Sequence, residues 1–226
     1  MPRIPTKDYI ENYRAINEER ICIIRHCNSN RAGVGRYCSR HQRNKWRFGD
    51  PHARRIFPQE MDVERSKVWH VVEYNRDHQA IKGGIEYFRK WMENAANGIP
   101  GISAHEHFKR LHEEGVTGNE LLVEAATVYM FQQYNPEALP GNLPDPLMMA
   151  IGLAVLGYRK MVEGDPNPRN YISELRITPR TRKEVGRIIW RDIGMLLVEI
   201  YKAIQENDKA KGLDRQLEAQ LENVMS

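Results

Sequence analysis

The sequence predicts a mainly α-helical chain with a small zinc-binding module near its N-terminus, and three observations carry that expectation. All the cysteines fall in one short segment that reads Cys22-x4-Cys27-x10-Cys38-x2-His41. From Pro58 onward apolar residues recur at spacings of three and four, and no stretch alternates as a strand would. Helix-opening signals also punctuate that region, in Thr117-x-x-Glu120, Asp145-Pro146 and Thr178-Pro179. The organisation that follows is an N-terminal helix over 1–20, a zinc module over 21–57 and an all-α domain over 58–226.

The first helix runs from Thr6, its N-cap, to Arg20, with Tyr9, Ile10, Tyr13 and Ile16 at helical spacing as the side that packs on the module or on later helices. In the module, three thiolates and one imidazole match the four ligands of tetrahedral zinc. Two close pairs separated by a loop are the usual way for a short segment to supply them. Gly33 and Gly35 allow a tight turn between the pairs. The competing reading treats the cysteines as incidental small hydrophobes and His41 as a surface residue, and it leaves as coincidence that all the cysteines gather into a 17-residue window with a histidine three positions after the last. A module this small has almost no core, so the metal supplies most of its folding free energy.

Pro58 opens the helical domain. Val68, Val71, Val72, Ile81, Ile85, Phe88 and Met92, with Trp69, mark one long helix or two successive ones interrupted near Gly83-Gly84. After a loop from Asn94 to Gly101, Ser103-x-x-Glu106 and Thr117-x-x-Glu120 form capping boxes for helices over 103–114 and 118–134. Pro136, Pro140, Gly141 and Pro144 mark a longer connection to an apolar helix over 146–162, which Gly164 to Pro168 ends. Thr178-Pro179 starts the most regular helix, with Val185, Ile188, Ile189, Ile193, Leu196, Leu197, Ile200 and Ile204 on one stripe. Leu213, Leu217, Leu221 and Val224 form a short amphipathic tail helix that covers the core or meets a partner chain.

Charge is divided along the chain. Residues 1–57 carry 13 Lys/Arg against 5 Asp/Glu, and the remainder 21 against 25. An odd number of cysteines cannot all pair within the chain, and a metal site uses all of them, so a reducing cytoplasm is the expected compartment. Met1 to Pro5 holds no apolar leader segment. The longest uncharged apolar run, Leu147 to Tyr158, falls short of the roughly 20 residues a membrane helix needs, so no membrane is expected.

The Cys22-x4-Cys27 and Cys38-x2-His41 pairs, followed by Arg43, Arg47 and Gly49-Asp50-Pro51, resemble the small treble-clef-type zinc module of phage and mobile-element proteins, some of which also carry an HNH nuclease domain. The likeness covers about residues 22–51. It implies Cys22, Cys27, Cys38 and His41 as zinc ligands. Two positions depart from that pattern. The family often has glycine before its second cysteine, where this chain has His26, and Gly-Leu before its third, where this chain has Arg36-Tyr37. His26 therefore stands as an alternative ligand, although Cys27 and His41 fit better.

Arg36, Arg40, Arg43, Lys45 and Arg47, with Arg54 and Arg55, can neutralise phosphates, and Trp46 and Phe48 are assigned to the module's core. Arg180, Lys183, Arg187 and Arg191 form a second basic stripe opposite the apolar face of their helix, diluted by Glu184 and Asp192. That stripe serves as a second phosphate surface or as an ordinary solvated face.

Catalytic signals are weak. His70, Asn75 and His78 are the only HNH-like set but sit too close together within a predicted helix, and His105, His107 and His112 lack the glutamate of a His-Glu-x-x-His motif. No phosphate-binding glycine loop and no nucleophile elbow is present. The function expected is non-catalytic binding of nucleic acid, DNA or RNA, by an accessory protein of phage or mobile-element type. Its helical domain would serve oligomerisation, a second contact surface or a partner protein. A divergent HNH-like metal-dependent nuclease and a protein-binding adaptor are the alternatives.

Overall fold

The computed structural model describes residues 7–99, 104–140, 144–160 and 177–225. Ser103 of one predicted capping box and the Gly164 to Pro168 helix stop lie outside them. The chain is mainly α and divides into two compact units. The described residues of 1–55 and 136–146 form one, and those of 56–135 and 147–226 form the other.

In the first unit, helix α1 (Lys7–Glu18) forms near the predicted range, but its apolar stripe is not its anchor. Tyr9, Tyr13 and Ile16 are exposed, and the buried residue of the helix is Asn17. Its Nδ2 donates to the carbonyls of Gly33 (2.8 Å) and Gly35 (3.2 Å). A unit with so few buried apolar side chains offers no surface for a hydrophobic stripe, and an amide that satisfies two turn carbonyls holds the helix instead.

A single antiparallel bridge pairs Ile21 with Asn30, flanked by Cys22 N–H donating to Ser29 (2.9 Å) and Arg31 N–H to Arg20 (2.9 Å). Helix α2 (Ser39–Phe48) follows Cys38 and stops at Gly49, which takes φ +86° and donates its N–H to the Lys45 carbonyl at 3.0 Å. A side chain on Gly49 would meet the Asp145–Pro146 peptide at 3.0 Å, so that position needs glycine for both its backbone angle and its space. The buried Asp50 then accepts from His52 N–H at 2.7 Å. Gly49-Asp50-Pro51 is thus a helix stop: a left-handed cap, a side-chain-stabilised turn, and a proline that cannot continue the helix.

The second unit is built on α6 (Gly118–Tyr134), which is buried nearly all round: Leu121, Leu122, Val123, Ala125, Ala126, Val128, Met130 and Phe131 are all inside. A helix without a polar side belongs at the centre of its layer, and α3 (Asp62–Tyr74), α4 (Gln79–Ala96) and α8 (Pro179–Met225) pack against it. Its N-terminus bears the predicted capping box, with Thr117 Oγ1 accepting from Glu120 N–H (3.3 Å) and Thr117 N–H donating to Glu120 Oε2 (2.7 Å). Helix α5 (His105–Glu113) packs on α4. Within α6, Glu124 accepts two bonds from Arg65 of α3, 2.6 Å from Nε and 3.2 Å from Nη2, while Arg65 Nη1 reaches Asp62 at 2.6 Å.

Three helix boundaries differ from expectation. The break after α3 falls at Asn75 to His78, where Asn75 Nδ2 donates to the Val71 carbonyl (2.8 Å) and His78 Nδ1 accepts from Ala80 N–H (3.3 Å). Gly83 and Gly84 lie inside α4 instead. Gly84 is there to admit Leu196 and Leu122, whose methyl carbons would sit 2.6 and 3.2 Å from a side-chain carbon at that position. Helix α7 (Pro144–Leu156) begins two residues early and ends before Gly157. Finally, the tail is continuous with α8, a 47-residue helix of about 70 Å, because its lone Gly212 costs only about 1 kcal/mol.

Along α8 the predicted stripe is inside: Val185, Ile189, Ile193, Leu197, Ile200 and Ile204 are buried. Its first turns cross α7 backbone to backbone. A side-chain carbon on Gly186 would lie 1.8 Å from the Met148 carbonyl oxygen, and one on Gly152 would lie 2.0 Å from that of Arg182.

Candidate metal centre

Cys22, Cys27, Cys38 and His41 converge in the first unit, each presenting a ligand atom within 4.8 Å of the other three. Among the described residues they are the one group of three or more His, Cys, Asp or Glu side chains placed to share a metal ion. Cys22 Sγ and Cys38 Sγ lie 3.4 and 3.3 Å from His41 Nδ1, and Cys27 Sγ lies 3.9 Å from Cys38 Sγ. A tetrahedron drawn at zinc–sulfur and zinc–nitrogen bond lengths has edges of about 3.8 Å between sulfurs and about 3.5 Å from sulfur to nitrogen. These three spacings lie within about 0.2 Å of those edges, and the remaining pairs lie within 4.8 Å.

Local backbone explains the convergence. The bridge between Ile21 and Asn30 folds the Cys22–Cys27 segment back on itself, and Cys27 N–H closes a tight turn onto the Ile24 carbonyl at 3.0 Å. That turn puts His26 at φ +64°, the left-handed region. Histidine is one of the side chains that enters this region at modest cost. His26 itself is exposed and lies outside the group, which Cys27 joins instead. Cys38 is the N-cap of α2 and His41 sits in its first turn, both buried.

The electrostatics favour the ligating forms in part. The Ser29 amide pulls the Cys27 thiol down. Burial pushes the Cys38 thiol up, opposed by the amides of His41 and Arg40 at the helix start. Burial, followed by the charge of Arg40 and by His52, lowers the His41 value, a shift toward the neutral imidazole that binds a metal.

The predicted phosphate contacts lie on α2 and in the loop before it. Arg36, Arg40, Arg43 and Lys45 are exposed and Arg47 is half-buried. Lys45 Nζ lies over the Tyr37 ring, 5.1 Å from its centre. Between Glu19 and Asp50 the chain has no Asp or Glu and eight Lys or Arg. One expectation is overturned: Trp46 is 65% exposed and forms no part of a core, because the buried side of α2 is taken by His41.

The remaining predicted residues lie in the second unit. On α8, Arg180, Arg187 and Arg191 are exposed and Lys183 is half-buried. Arg191 is paired with its neighbour Asp192, at 2.6 and 3.2 Å. Their neighbour Arg182 is buried and donates from Nε to the Ile177 carbonyl at 2.9 Å. His70, Asn75 and His78 are not brought together as a metal group: His70 is exposed on α3, and the other two cap helix ends.

Sequence reasoning missed Asn17 and the backbone role of His26. For the first, the available signal was an asparagine at the end of a helix preceding a glycine-rich turn; for the second, it was the departure from glycine before Cys27. No described helix is long and apolar enough to cross a membrane. Compared with known proteins, the chain matches no family model, no curated protein and no solved structure, so the site is read from its own residues.

Proposed function

We propose that the first unit is a zinc-stabilised module that binds nucleic acid without catalysis, and that the helical unit supplies an interaction surface for a second copy or a partner protein. The sulfur-rich donor set and the tetrahedral spacing favour zinc, whose closed Cys3His sites are structural. One observation carries the nucleic-acid reading. Cys38 and His41 begin the same short helix that bears Arg40, Arg43, Lys45 and Arg47, so the metal that fixes α2 also fixes a set of cations on a stretch without acidic residues. Cations held in place neutralise phosphates and release counterions. The resemblance to phage and mobile-element zinc modules agrees with that role.

The test is a salt titration of binding to single-stranded DNA, duplex DNA and RNA, on protein of measured zinc content. The reading predicts affinity that falls steeply and linearly in log–log form with salt and vanishes on chelation. Binding that ignores salt or survives chelation would contradict it, and no binding at low salt with zinc present would favour the adaptor.

A further inference from the structure

We propose that Trp46 is a base-stacking platform and that the nucleic acid this module takes is single-stranded. The inference rests on the nucleic-acid reading of α2 and deepens it. Trp46 is 65% exposed in the last turn of the basic helix, and among the described residues no hydrogen bond or ring contact engages its indole. The other tryptophans differ. Trp91 meets Phe108 edge to face at 5.0 Å, Trp190 lies 5.5 Å from Tyr129, and Trp69 is less exposed at 45%.

Position on the helix gives the exposed ring its meaning. Gln42 and Arg43, four and three residues earlier, share its face and are exposed, and Arg47 lies one turn beyond Arg43. An aromatic face beside cations is the combination that holds a sugar–phosphate strand by charge and its bases by stacking. Bases within a duplex are already stacked on one another, so an indole finds a free base face only where the strand is unpaired. An indole also has a single N–H donor and cannot read a base edge in a groove as a bidentate side chain would. The chemistry of the surface therefore selects unpaired bases.

The experiment uses the full chain with zinc bound and compares Trp46→Ala, Trp46→Phe and Arg43→Ala on a deoxythymidine oligomer and a blunt duplex of equal length. Zinc content and far-ultraviolet circular dichroism confirm that each variant is folded. Trp46→Ala is expected to weaken oligomer binding by about 5- to 150-fold at unchanged salt slope and to leave duplex binding alone. Trp46→Phe retains most of the affinity, whereas Arg43→Ala weakens both ligands and lowers the salt slope. Equal losses on both ligands from Trp46→Ala, or no loss on either, would overturn the stacking role while the nucleic-acid reading stands. Failure of the unaltered protein to bind either ligand would overturn that reading itself.

Discussion

The buried positions of the second unit are filled by Phe88, Phe108, Leu111, Leu121, Leu122, Met130, Ile151 and Ile189, whereas those of the first include Asn17, Cys22, Cys38, His41 and Asp50, with Ala53, Ala138 and Leu139. Each large apolar side chain in the helical unit contributes on the order of 1.5–3 kcal/mol on burial. Asparagine, thiols, imidazole and carboxylate give no such return unless something satisfies them. In the first unit Asn17 and Asp50 are satisfied by backbone groups, and the four ligand atoms are set for a metal. A helix bundle carries its own stability, then, while the module depends on directional bonds that a few substitutions remove.

The largest effect in the helical unit should come from its buried ion pair. Glu124→Ala leaves the buried Arg65 guanidinium without its carboxylate partner from α6, and it should cost about 3–5 kcal/mol in urea unfolding. A loss under 1 kcal/mol would show that the pair is not organising this core. Gly186→Ala comes next. At most exposed helix positions this change stabilises by about 0.5–1 kcal/mol, but here the added carbon would strike the Met148 carbonyl, and a destabilisation of about 3 kcal/mol is expected. An unchanged thermal midpoint would mean that α7 and α8 cross less closely.

The pH response belongs to the other unit. Because burial and Arg40 hold His41 below the ordinary histidine value, the folded module binds fewer protons than the unfolded chain. Its stability should therefore fall as pH drops through about 6.5 and below. Competition of protons with metal for the same donors acts in the same direction. Monitoring zinc release by a chromogenic chelator as pH is lowered checks the sign, and retention at acid pH would refute it. The smallest effect is at His26. Replacement by glycine should be neutral or slightly stabilising, whereas valine at φ +64° should cost about 1–2 kcal/mol, read as weaker zinc retention.

How far the sequence could be read follows the same division. The α8 stripe and the Thr117–Glu120 cap were legible because helical periodicity and capping are local rules. The convergence of Cys22, Cys27, Cys38 and His41 was legible because metal chemistry needs those residue types at close spacing. The breaks were less so: Gly83-Gly84 reads as an interruption until Leu196 and Leu122 are seen to need the space. Trp46 was assigned to a core by its composition alone, although His41 takes the inner side of α2. Asn17 was missed because the carbonyls it binds become neighbours only after the Gly33–Gly35 turn has formed.

Hydrogen exchange on the full chain before and after chelation puts the contrast between the units to its most direct test. The metal-held module predicts that amides between residues 20 and 52 lose protection when the metal is withdrawn, while those of α6 keep theirs. Unchanged protection across 20–52 in metal-free protein would contradict it.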